Sequence, residues 1–577
     1  MLLSTFLLPA LTVASATCPP KNFAGPPALG ACISQIPNPI EPRTPPLEPT
    51  PEPEALPSEQ NLLDSPAPPS SEADDVRQVP GTIVVERFLF TGDYTAFTDE
   101  ELAEAVSDLT DRSISFAELL SVEAKLTQLY IDAGYINSGA VVPTGQTLDP
   151  ESSMVEVRIV EGGLEELQIV GESRLDESYI RQRLRRATNP PLNQAELLEA
   201  LQLLQLDPRI ETISAELSAG PQPNLSFLDV TVTEANTFSL DAFIDNGRSP
   251  SVGSVRRGFG LSEANLFGIG DRIELDYINT KGSNTFEGLY AVPFNSLNGT
   301  IFVSGGFTNT SIVEAPFDQI DITGDSFFIE AGLRQPLYRT PTEEFALGLS
   351  FSRQQSRTEL FDIGFPLSVG ADEDGETRIS ALRFSQEWTR RNARQVLALR
   401  SRFSLGIDAF DATLNDNAPD SEFFAWQGQA QYVRALAPET LLVLRSNLQL
   451  ATDSLVPLEQ SPLGGLGSVR GYRQDTLLTD NSFFTSAEVQ LPIARFRRVD
   501  GLLQVAPFAD LGLGWNNSGT LDPDPDTLFG LGVGLQLQLG DRFSARFDVG
   551  FPLSDLDDGD ETLQEDGLYF TVRFSPF

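Results

Sequence analysis

The chain has 577 residues, a formal charge of −43 and no histidine. Such acidity argues against a nucleic-acid partner, because phosphate binding needs a basic face, and the missing histidine removes the usual general base, the imidazole metal ligand and every serine–histidine–aspartate arrangement. No run reaches the roughly 18 consecutive apolar residues of a membrane helix, so any spanning structure has to be a closed barrel.

Residues 1–16 have the short apolar core of a secretory signal, ending on the small-x-small pattern Ala14-Ser15-Ala16. The chain is therefore expected to be exported. Residues 17–80 are proline-dense and poor in apolar side chains, the composition of a disordered linker that samples extended polyproline conformations. Cys18 and Cys32, the two thiols of the chain, both lie there. In an oxidising compartment they either close a small disulfide loop or stay unpaired, and they lack the partners of a zinc site. No metal or cofactor is expected.

Folding is predicted to begin near residue 82, with a strand over Thr82–Phe90. Thr98-Asp99-Glu100-Glu101 and Ser115-Phe116-Ala117-Glu118 are capping boxes. The first opens a helix through about Leu109, the second a helix to about Ala133 that Gly134 stops, and strands follow at 138–143 and 153–161. The same β-α-α-β-β order returns as a strand at Leu164–Val170, helices at Leu175–Arg186 and 193–206, and strands at 209–218 and 225–234. Two such units, 81–162 and 163–236, each leave a strand edge open to an extended peptide. Arg181, Arg183, Arg185 and Arg186 make a basic cluster on the first helix of the second unit, either a partner contact or a solvated face.

From Phe238 the texture changes to sixteen segments of about ten residues, the length a tilted strand needs to cross a bilayer. Phe529, Leu531, Val533, Leu535, Leu537 and Leu539 alternate with Gly530, Gly532, Gly534, Gln536 and Gln538, giving a lipid face and an inner face. Connections are mostly short after even-numbered segments, while nearly all the long ones follow odd-numbered segments. This is the asymmetry of an outer-membrane barrel with both ends in the periplasm. Its basic residues are nearly all arginine, suited to fixed carboxylate pairing in a polar lumen, although genomic bias gives the same composition.

Val469-Arg470-Gly471-Tyr472 falls in the long connection 451–481, and Phe508-Ala509-Asp510-Leu511-Gly512 in the thirteenth segment, where Asp510 shares the inward parity of Gln504. With the strand ending Val157–Gly163, Tyr130–Gly134 and Ser138–Pro143, these segments make residues 82–577 resemble the two-partner-secretion transporters. That family, of the haemolysin secretion/activation type, belongs to the wider superfamily of barrels carrying periplasmic POTRA repeats. The resemblance implies a sixteen-stranded antiparallel transmembrane β-barrel over 237–577, preceded by two α+β POTRA repeats in the periplasm. It also implies that loop 451–481 folds into the barrel, and that Val469, Arg470, Gly471, Tyr472, Phe508, Asp510 and Gly512 latch it. In a wet lumen the Arg470–Asp510 pair contributes on the order of 1 kcal/mol; desolvated and bidentate, it is far harder to break.

The function implied is capture of an unfolded exoprotein by the repeats, through its N-terminal secretion domain, and its export through the barrel. The alternative is a barrel-assembly or insertion factor, for which two repeats are few. No enzyme chemistry is expected. Other partners implied are outer-membrane lipid, periplasmic chaperones and the barrel-assembly machinery. Phe574, or the terminal Phe577 that Pro576 shifts off the alternation, is the expected assembly signal. Family members often begin with a barrel-plugging helix, which 17–80 does not convincingly contain.

Overall fold

Strand-by-strand alternation of apolar and polar residues requires a sheet with one face in lipid and one inward, and the sheet avoids open edges by closing. The computed structural model describes residues 53, 56–58, 62–64 and 82–576, apart from 150, 172, 223, 418, 518–521 and 555–561. The signal segment, both cysteines and Phe577 lie outside the described residues. Sixteen antiparallel strands form the barrel, from Phe238–Asp245 to Leu568–Phe574. Closure comes from pairing the last strand with the first, Phe574 opposite Ala242 and Thr571 opposite Asp245.

Leu531, Val533, Leu535 and Phe547 are exposed on the outer face, whereas Gly530, Gln504, Asp510 and Asp548 are buried on the inner one. Aromatic side chains line up across neighbouring strands of the outer face, as in Phe286 against Phe307 with ring centroids 5.0 Å apart. Several strands are longer than expected: Ile322–Arg339, Glu343–Leu360 and Glu376–Asn392 extend past the segments 324–334, 344–355 and 378–389 read from alternation. The added residues fall at both ends of these strands, where the ladder persists, past a register shift at Pro336/Tyr338 in one case, but the period-2 hydrophobic signal does not.

Ahead of the barrel stand two small four-stranded sheets with helices packed on them. In the first, Thr82–Thr91 pairs in parallel with Ser153–Val160, and Gly139–Val141 forms one edge. The capping boxes form as predicted: the Thr98 and Ser115 hydroxyls accept from the Glu101 and Glu118 N–H groups, and each glutamate reaches back to its cap. The first helix nevertheless ends at Ala105, and Ser107–Leu109 continues as a 3-10 turn. An unpredicted strand, Ser113–Ser115, pairs with Thr82–Val84; three residues are too few to show a period.

The second sheet runs Leu63–Asp64, Ile210–Ala219, Leu225–Glu234, Gly163–Val170. Its outer member corrects the expectation that 17–80 has no folded part. Leu63 pairs in parallel with Ala215 and Asp64 with Glu216, while Leu62 and Leu63 are buried in the core formed by Leu197, Leu201, Ala215 and Leu217. Burial of these two leucines anchors the two-residue ladder. This unit rests on the periplasmic turns of the barrel: Arg209 Nε donates to Ala264 O at 2.8 Å and Asp176 N–H to Gly268 O at 2.7 Å.

Candidate functional site

The long connection between the eleventh strand, Thr440–Ala451, and the twelfth, Asn481–Phe496, folds against the inner wall. Its arms pair as a short antiparallel ladder, Ser461–Leu463 with Leu477–Thr479. Asp480 ties the base together, accepting from the N–H groups of Leu455 at 2.9 Å and Asn517 at 3.0 Å. Beyond the ladder the tip carries Val469-Arg470-Gly471-Tyr472 onto the inner faces of strands twelve to sixteen.

Arg470 forms a bidentate pair with Asp510, Nε to Oδ2 at 2.8 Å and Nη2 to Oδ1 at 3.0 Å. Its own N–H adds a bond to Oδ2 at 3.2 Å. The guanidinium lies 3.4 Å above the Phe508 ring centroid, a cation–π seat two residues before Asp510 on the same inner face. Nη1 reaches Glu488 at 2.9 Å and Asp548 at 3.4 Å, and Arg546 bridges those two carboxylates, at 2.7 Å to each. Two guanidiniums therefore serve three carboxylates. Arg470 is 2% exposed and Asp510 0%, so the pair is the desolvated, bidentate one of the two possibilities the sequence leaves open.

The remaining motif residues shape the seat. Val469 and Tyr472 bury with Leu463, Leu477, Phe484 and Leu528. Tyr472 Oη donates to Phe529 O at 3.1 Å. Gly471 has φ +112°, a conformation glycine adopts without strain. Gly512 leaves room for Val469, and a methyl at Gly530 would collide with the Arg470 carbonyl, so the loop backbone lies directly on the wall. All seven latch residues predicted from the sequence meet here. Glu488, Asp548, Arg546 and Tyr569 were missed as members. The inward parity of Arg546 and Asp548 was readable within their strand, but not which loop residue they would face.

The arginine cluster does not come together as one patch. Arg183 packs over the Tyr179 ring, 3.2 Å from its centroid, and its Nε donates to Asn298 of a periplasmic barrel turn at 3.0 Å. Arg181 bonds to Leu167 O at 2.8 Å, and Arg185 and Arg186 are exposed. The strand edge expected to be open is blunted: Leu63–Asp64 occupies part of it. The Gln205 side chain caps its start, donating to Glu211 O at 2.9 Å and accepting from Ile213 N–H at 3.0 Å. Phe574 is exposed on the last strand, opposite Phe543.

A family model described as "Haemolysin secretion/activation protein ShlB/FhaC/HecB" matches residues 224–537, and one described as "POTRA domain, ShlB-type" matches 83–162. The heme/hemopexin transporter protein HuxB of Haemophilus influenzae is 22% identical over 480 residues, covering 79% of this chain and 80% of that protein. The outer membrane transporter CdiB of Escherichia coli is 23% identical over 476 residues, covering 80% of this chain and 77% of that one. A solved structure of CdiB from Escherichia coli superposes with a TM-score of 0.66 at 21% identity, covering 88% of this chain and 92% of that chain.

Proposed function

This chain belongs to the haemolysin secretion/activation family and is an outer-membrane transporter of two-partner secretion with its POTRA repeats in the periplasm, and on that footing we propose how it moves its exoprotein. The observation that carries the reading is a lumen loop whose tip is held by one buried bidentate pair, in a barrel with a repeat docked at its periplasmic mouth. The second repeat takes up the N-terminal part of an unfolded exoprotein as an added strand along Ile210–Ala219, displacing Leu63–Asp64. Arg185 and Arg186, exposed at the end of the helix that packs beside Gly163–Val170, steer acidic segments toward the repeat. Release of Arg470 from Asp510, Glu488 and Asp548 then lets the tip of the loop leave the wall, the first step in opening a path through the barrel. Phe574 serves in assembly of the barrel.

Crosslinking in living cells tests this, with the whole chain carrying a photoreactive residue at Glu211 or Ser218. Capture of one large exported protein through its N-terminal part supports dedicated secretion. Capture of many unfolded barrel precursors overturns it in favour of assembly.

A further inference from the structure

The loop that carries Arg470 is held at a second place, on a different wall and by the opposite charge. Glu459 ends the single 3-10 turn Pro457–Glu459 near the start of the loop, and its carboxylate meets Arg383 of the eighth barrel strand. Nη2 of Arg383 lies 2.5 Å from Oε1, and Nη1 lies 3.2 Å from Oε2. Gln354 donates to Oε1 at 3.0 Å. Arg383 is itself braced by Ser352 Oγ at 3.1 Å and Ser404 Oγ at 2.8 Å. The two side chains are 7% and 9% exposed. Leu455, Val456 and Leu458 flank the pair and pack on Ile379, Ala381, Phe423 and Ala425.

Each anchor thus combines a buried arginine–carboxylate pair with an apolar cluster. At the tip the loop supplies the cation, and near its base it supplies the anion. The wall behind Glu459 is short of acceptors: Arg402 Nε and Gln427 Nε2, beside it, are buried without a hydrogen-bond partner among the described residues. Glu459 is the carboxylate bonded to Arg383, and its departure would strip that buried guanidinium of both bonds, leaving Glu330 as the remaining acid whose charge acts on it.

We propose that Glu459 and Arg383 form a second latch, acting as positioning residues for export, so that breaking Arg470 from Asp510 frees the tip but leaves the base of the loop on the wall. The proposal rests on the reading of this loop as the gate, but its test needs no exoprotein. Single channels of the whole purified protein are recorded in planar bilayers, for wild type, Glu459→Gln, Arg470→Ala and the two combined. Heat-modifiable mobility on gels confirms a folded barrel for each. The expected result is a partial conductance step that opens severalfold more often in either single variant, and a larger, full opening only in the combination. Reversing one charge, as Arg383→Glu, should disturb the channel, and adding Glu459→Arg should restore quiet behaviour. A Glu459→Gln channel indistinguishable from wild type, with a combined variant no different from Arg470→Ala, overturns the proposal. So does failure of the charge swap to rescue the single reversal. Loss of gating in Arg470→Ala concerns the first latch and the proposed function separately.

Discussion

Tyr569, on the last barrel strand, accepts a hydrogen bond from the Gly471 N–H at 2.9 Å and donates its own hydroxyl to Tyr472 O. A side chain 0% exposed and almost a hundred residues downstream therefore satisfies two backbone groups at the turn behind Arg470. The turn lies directly on the wall, the Gly471 backbone against Gly550 and Pro552. The barrel can present this hydroxyl only once its final strand is in place, which ties the loop's position to completion of the barrel.

Tyr569→Phe keeps the ring and removes the hydroxyl, leaving a buried donor and a buried acceptor unmet. Each such group costs roughly 1–3 kcal/mol. The seated loop should therefore lose a factor of about ten or more in stability relative to the released one, with Arg470 and its acids intact. Channel opening frequency should rise accordingly, and protection of the loop backbone against hydrogen exchange should fall. An unchanged exchange rate at Gly471 and Tyr472 would show that the hydroxyl does not hold the turn.

Arg470→Lys preserves charge and still should impair secretion strongly. Lysine cannot make the paired Nε and Nη2 bonds to Asp510 or lie flat on Phe508. Removing either member of a buried pair typically costs about 3–5 kcal/mol. Arg470→Ala leaves Arg546 on Glu488 and Asp548 but strips Asp510 of its partner, whereas Arg470→Ala with Asp510→Asn removes both charges. The double variant should accordingly be less damaged than the sum of the two singles, by more than about 1 kcal/mol of coupling. Additive effects on exoprotein release would mean that the two residues act independently.

The barrel was legible because lipid and lumen impose opposite chemistry on alternate residues, as between Leu531 and Gly532, and Asp510 could be placed inward by parity alone. Contacts across strands were not legible. That Arg546 neutralises Glu488, and that Tyr569 reaches Gly471, depends on register and on the path of a loop, neither of which leaves a period in one segment. Leu62–Asp64 was hidden for another reason: two leucines in a proline-dense stretch carry no pattern until the edge they cover is known.

Acid should loosen the first periplasmic repeat through its second capping box. The Ser115 N–H, then Arg112 and the Ser115 hydroxyl, bring the Glu118 carboxyl down from its usual 4.5 to about 2. A depressed folded value means that protonation favours the unfolded helix. The stabilisation is complete above pH 4.5 and fades as pH falls toward about 2. Amides at the start of helix Phe116–Asp132, corrected for intrinsic exchange, should lose protection through that window. Glu118→Gln should remove this pH dependence while lowering protection at neutral pH; a wild-type profile in the variant would assign the acid sensitivity elsewhere.

If the exported chain adds to the edge of Ile210–Ala219, it has to replace Leu63–Asp64, which already pairs with Ala215 and Glu216. The internal segment is tethered, so it competes at an effective concentration on the order of millimolar even though its ladder is only two residues long. Its buried leucines add to that competition. A covalent tie should convert competition into blockade. Leu63→Cys with Ala215→Cys, in a chain whose Cys18 and Cys32 are serine, places two thiols at directly paired positions suited to a disulfide. Oxidised, this chain should insert and gate normally yet release little exoprotein, and reductant should return release to the level of either single-cysteine control. Leu62→Ser with Leu63→Ser should act in the opposite direction, exposing the edge and increasing crosslinking from Ser218. Full secretion by the oxidised chain would place exoprotein capture on another surface of the repeats.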